Sequence, residues 1–164
     1  MSLPSNFKSA VDHTAAINAE WIRRYRESAQ GVRNPAVRRL MVSVLDQKTS
    51  QADLLRAVSE SEDPGGDLSA SRGLPRAIDP FGRPPEEQAV PPADTAAAPK
   101  PDEDSAADLL RMVQTGEEDL GALFETLRGW TTDAENQERL HSLSEISRKI
   151  GDWVRDHLEL LSLF

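Results

Sequence analysis

Apolar side chains recur along this chain every three or four residues in four separate blocks, the period of amphipathic helices. The first block runs near residues 9–30, with Ser9 and Asp12 at capping-box spacing and Gly31 as a stop. The second opens on Asn34-Pro35, an N-cap followed by proline at the first helical position, and runs to about residue 61. The third is predicted from Ser105 and Asp108 to near Gly129, and the fourth from Thr132 and Glu135 almost to the C-terminus. No segment alternates with the period of a strand. At 1.5 Å per residue, helices of ~22–30 residues are ~33–45 Å long, and short turns between first and second and between third and fourth make each pair an antiparallel hairpin.

Between the hairpins the pattern stops. Residues 62–104 hold nine of the eleven prolines and four of the nine glycines, with few large apolar residues. The stretch reads as an extended, acidic, Pro-rich crossover that cannot fold by itself. Ile78-Asp-Pro-Phe81 is the one part with enough apolar surface to dock elsewhere. The expected architecture is therefore an all-α four-helix bundle in a single domain, residues 1–164. It is built from a first hairpin over 9–61, the linker over 62–104 and a second hairpin over 105–164.

One break in the pattern concerns function. In VSVLDQKTSQADLL, residues 42–55, an apolar stripe that starts at Val37, Met41 and Val44 and ends at Leu54, Leu55 and Val58 carries Gln47, Lys48 and Gln51 in its middle. Two explanations are open. The polar residues form a buried hydrogen-bonded layer, or they lay their stems on the core and hold their heads in water.

The two hairpins align when the second is shifted by 99 positions. Val11 then meets Leu110, Trp21 meets Leu120, Tyr25 meets Phe124, Met41 meets Leu140, Val44 meets Leu143, Leu54 meets Trp153 and Leu55 meets Val154, while Thr14 over Val113 is a poor match. Two like hairpins joined by a long crossover is the ferritin-like arrangement. Locally, AINAEWIRRYRESAQGVRNPAVRRLMVSVLDQ resembles the rubrerythrin and bacterioferritin pattern: a metal-binding Glu seven residues before a Tyr, an Asn-Pro or Asp-Pro turn, then an E-x-x-H motif. That resemblance implies a di-metal centre between the helices. Its ligand positions are largely missing here. Asn18 stands seven before Tyr25, the second-helix motif falls on Gln51-Ala-Asp-Leu54 or Lys48-Thr-Ser-Gln51, and the fourth-helix motif falls on Ile150-Gly-Asp-Trp153. Only Glu117 on the third helix survives, and Trp153 is expected to fill much of the space the metals would take. The resemblance thus suggests a vestigial layer of Asn18, Tyr25, Lys48, Gln51 and Glu117, with Lys48 and Glu117 pairing charges, no metal and no cofactor.

Composition narrows the remaining classes. With no cysteine there is no disulfide, thiolate metal site or cysteine nucleophile. A net charge of −9 disfavours nucleic acid, which needs a basic face. No segment has the apolar length of a membrane span, and the start lacks an apolar signal core, so a cytoplasmic protein is expected. Charge is uneven: residues 1–61 carry 9 Lys/Arg against 6 Asp/Glu, and residues 105–164 carry 6 against 12. Arg23, Arg24, Arg26, Arg33, Arg38 and Arg39 surround the first turn and offer an acidic partner a surface, or are simply solvated.

HSLSEISRKIG, residues 141–151, resembles the phosphoacceptor helix of histidine phosphotransfer domains at His141, Leu143, Ile150 and Gly151, but Ser144 and Glu145 stand where that family has Lys and Gly. The C-terminal Leu160, Leu161, Leu163 and Phe164 suit a protein partner or a homodimer, or fold back over the helix ends. The reading that results is a non-catalytic helical protein acting as a structural or protein-interaction module. An atypical metal-binding oxidase or iron-handling protein around Glu117 and a phosphotransfer protein using His141 are the alternatives.

Overall fold

A computed structural model describes residues 6–63, 65 and 102–163. They form four α-helices: α1 Phe7–Gln30, α2 Pro35–Glu60, α3 Asp102–Trp130 and α4 Ala134–Ser162. Among the described residues there is no strand, and this part of the chain is all-α. None of these helices is long and apolar enough to cross a membrane. The expected docking of Ile78-Asp-Pro-Phe81 falls outside the described residues.

Three helix starts differ from expectation. Helix α1 begins two residues early because Asn6, not Ser9, is its cap: Asn6 Oδ1 accepts from Ser9 N at 2.7 Å. Helix α3 begins at Asp102 rather than Ser105. The cap expected at Thr132 lies at Asp133, which makes no side-chain cap bond. At α2 the Asn-Pro signal holds, with Asn34 Oδ1 accepting from Ala36 N at 3.0 Å and Val37 N at 3.2 Å.

Each helix packs on two others: α1 on α2 and α3, and α4 on α3 and α2. The enclosed core is aliphatic and aromatic, with Val11, Val44, Leu110, Phe124, Leu143 and Ile150 wholly buried among many others. Burial follows the 99-position shift. Thr14 and Val113, Asn18 and Glu117, Lys48 and Ser147, and Gln51 and Ile150 are buried pair by pair. Polar bonds tie the helix ends. Lys8 Nζ donates to the carbonyl of Ser59 at 2.9 Å, and Ser59 Oγ donates to Asp12. At the end of α2, Asp63 accepts from Thr131 Oγ1 and from Asn136 Nδ2, the latter at 2.9 Å. Gly65 N donates to the other Asp63 oxygen at 2.9 Å. Gly65 has φ +76°, and a Cβ there would sit 2.3 Å from Phe7 Cβ, so this position requires glycine twice over.

Candidate functional site, a buried polar layer

At the polar break in the α2 stripe, Lys48 and Gln51 face inward, while Gln47 is only half-buried. Lys48 and Gln51 are fully buried, Glu117 is 1% exposed and Tyr25 is fully buried. Lys48 on α2 reaches across to α3, where its Nζ lies 3.1 Å from both carboxylate oxygens of Glu117. The same ammonium donates to Gln51 Oε1 at 2.7 Å, one helical turn away. Glu117 is satisfied from two further helices. Tyr25 on α1 donates its hydroxyl to Oε2 at 2.8 Å, and Ser147 on α4 donates to Oε1 at 3.0 Å. Gln51 closes the layer by donating Nε2 to Ser147 Oγ at 2.8 Å and to the Leu143 carbonyl at 3.0 Å. All four helices thus contribute to one connected network, and the alternative in which the Lys48 head sits in water does not hold.

The electrostatics follow from burial. Loss of hydration pushes the Lys48 ammonium below its usual range, with the Glu117 carboxylate opposing that shift. Burial also pushes the Tyr25 hydroxyl well above its ordinary value, reinforced by the charge of Glu117 and the hydrogen bond to it. A buried charge survives only when paired and hydrogen-bonded. Here the cation donates to Gln51 and Glu117 and lies against both carboxylate oxygens, and the anion receives two neutral donors besides.

Of the residues singled out from sequence, Tyr25, Lys48, Gln51 and Glu117 come together. Asn18 is buried on α1, but its Oδ1 has no hydrogen-bond partner among the described residues, so it does not join the network. Ser147 was not anticipated, because serine carries no chemical label in a helix; the 99-position shift, which lays it under Lys48, was the available signal. Trp153 does not fill the layer. It is half-buried at the surface, with Lys149 Nζ 4.9 Å over its ring, while Ile150 and Val154 take the core.

These donors do not fit a two-metal centre. Such a site needs several anionic oxygens and imidazoles converging on the ions. The layer offers one carboxylate, already neutralised by an ammonium, with an amide, a phenol and a hydroxyl. Among the described residues no three His, Asp or Glu side chains are grouped to hold a metal.

The other candidates lie at the surface. His141 is half exposed, with Nδ1 3.4 Å from Arg128 Nη1 and 3.7 Å from a Glu125 oxygen, and Nε2 4.0 Å from Glu145. Ser144 donates to Glu125 at 2.6 Å and, with Arg128, holds that carboxyl below its usual range against the opposing effect of burial. Arg23 and Arg24 are taken up by Glu20, whose carboxyl falls to about 2 chiefly through the Arg23 hydrogen bond. Leu160 and Leu163 are 53% and 75% exposed, Leu161 packs partly on the core, and Phe164 lies outside the described residues. No family model, curated protein or solved structure matches this chain.

Proposed function

We propose that this chain is a ferritin-like four-helix bundle in which the Lys48 ammonium takes the place that metal ions hold in that architecture. The protein then acts as a non-catalytic structural or protein-interaction module. The observation that carries this reading is the full burial of Lys48 against Glu117 and Gln51, with Tyr25 and Ser147 bonded to the same carboxylate. An internal cation neutralises the Glu117 carboxylate on which hydroxyls from α1 and α4 also converge, so the layer needs no ligand from outside.

The helix pairing supports the arrangement. The start of α1 meets the end of α2 through Lys8 and Ser59, and the end of α3 meets the start of α4 through Arg128 and His141. Asn136 near the start of α4 bonds Ser61 at the end of α2. These contacts suit two antiparallel hairpins with α2 and α3 running parallel, which is the geometry a long crossover serves. The exposed Leu160 and Leu163 suit the interaction role.

Metal analysis by mass spectrometry, on protein expressed with added iron and manganese, tests the reading. The expected result is no stoichiometric metal. About two equivalents per chain, as a two-metal site requires, would favour the iron-handling or oxidase reading instead.

A further inference from the structure

A groove of about 330 Å³ opens between α2 and α4 on the outside of the molecule. Ala36, Arg39, Leu40 and Ser43 line it from α2, and Trp153 and His157 line it from α4. The α2 residues recur at i, i+3, i+4 and i+7 and the α4 pair at i and i+4, so each helix supplies one continuous edge. Leu40, at 8% exposure, is the most buried of these residues and forms the floor.

Two independent features mark this groove. The first is its apolar wall. Ile150 and Val154 close the core on the inner side of α4, while the Trp153 ring stays half-buried at the surface. His157 is held beside it, with Nδ1 2.9 Å from the Trp153 carbonyl. Two turns further along the same face, Leu160 is 53% exposed. Apolar surface thus continues from the groove toward the end of α4 without cover among the described residues.

The second is charge. The charged side chains that line the groove are Arg39 and His157 alone. Arg39 is exposed and makes no ion pair among the described residues. Lys149, with Nζ 4.9 Å over the Trp153 ring, adds a cation at the edge. The nearby anions on α4 are taken: Glu145 lies 2.7 Å from Arg148 and Asp152 lies 3.2 Å from Arg155. Uncompensated positive charge therefore surrounds an apolar floor.

We infer that the α2–α4 groove docks an acidic segment of a partner protein through one apolar anchor side chain. The anchor seats on Leu40 against the Trp153 ring, and flanking Asp or Glu side chains reach Arg39 and Lys149. The volume is near the lower end of the ~300–1,000 Å³ of ligand pockets, which suits one anchor and not a whole helix. Tryptophan and arginine are the side chains that most often carry interface binding energy, and the unpaired cations select the sign of the partner. This inference rests on the interaction-module reading. Metal analysis tests that reading separately, so absence of both metal and groove binding removes the groove alone.

The test is fluorescence anisotropy of a labelled peptide, one Phe flanked by Asp and Glu residues, titrated with the full chain. Two control peptides replace the Phe by Ser, or the acidic residues by Lys. Ser43→Leu, at an exposed position, fills the groove without changing charge. Arg39→Glu reverses its charge. Arg56→Glu makes the same charge change 17 residues along α2, about 25 Å away. The expected result is saturable binding of the acidic Phe peptide at one per chain. Ser43→Leu and Arg39→Glu should each weaken it about tenfold or more, with helicity retained by circular dichroism, and Arg56→Glu should leave it unchanged. No binding, equal binding of either control peptide, or equal weakening by Arg56→Glu overturns the inference. Self-association that Ser43→Leu abolishes, without peptide binding, assigns the groove to a second copy of the chain and overturns it. Binding gained only when Ile78 and Phe81 are replaced by serine assigns the groove to the chain's own crossover and overturns it equally.

Discussion

Replacing Lys48 by methionine keeps most of the side-chain volume and removes the charge, which strands the Glu117 carboxylate in the core. Breaking a buried pair by deleting one partner costs about 3–5 kcal/mol, because the remaining charge keeps its desolvation penalty and loses its counter-ion. Tyr25 and Ser147 still donate to Glu117 at 2.8 and 3.0 Å, which places the expected loss toward the lower end. A loss of that size lowers Tm by roughly 10–20 °C in a domain of this class. Adding Glu117→Gln removes the stranded charge while leaving an oxygen for the Tyr25 hydroxyl, so the double variant recovers most of the loss. Urea unfolding of wild type, both single variants and the double variant at neutral pH gives the coupling energy directly. A Lys48→Met variant within about 0.5 kcal/mol of wild type, the range of ordinary surface substitutions, would refute the reasoning. A double variant no better than Lys48→Met would show that Glu117 is not the partner.

Three further outcomes follow from the same structure. Tyr25→Phe removes a hydrogen bond to a charged group and should cost about 1.5–3 kcal/mol in chemical unfolding. Because the folded state raises the Tyr25 hydroxyl above its unfolded value of 10.0, its contribution is complete below that pH and is lost as pH rises beyond it, so the gap between wild type and Tyr25→Phe should narrow there. Gly116→Ala drives a methyl to within 2.3 Å of Tyr25 Oη and should destabilise by about 1–3 kcal/mol. Gly129→Ala meets nothing within 4 Å and should stabilise by up to about 1 kcal/mol; thermal melts compare the two. Burial raises the Asp63 carboxyl, but hydrogen bonds from Asn136, Thr131 and the Gly65 amide outweigh it and leave the group below 3.8. Its contribution is therefore present above that value and lost as pH falls through the lowered one, so wild type and Asp63→Asn should converge in stability in acid melts.

The helices were legible because their apolar periodicity is long and unbroken, and the Asn34-Pro35 start was legible because both residues have one geometric use there. Boundaries without such a signal moved. Ser9 has the spacing of a cap but sits inside α1, since Asn6 caps the helix by accepting from the Ser9 amide. Trp153 was misplaced by one position of helical phase: Ile150 and Val154, four apart, take the inward face and turn the larger ring outward. The polar layer was visible as a break in a stripe, but its depth was not. Lysine is almost never fully buried, and the residue that permits it, Glu117, lies 69 positions away on another helix. Asp63 and Gly65 carry no periodic signature, and their roles emerge only when the helices are assembled.

The central claim is that Lys48 is a buried ammonium held by Glu117, and NMR of its side-chain nitrogen tests it most directly. The account predicts an Nζ resonance whose protons exchange slowly with water and show proximity to the Gln51 side chain, with the slow exchange lost in Glu117→Gln. A Lys48 ammonium that exchanges as fast as the exposed lysines, with no dependence on Glu117, would contradict it.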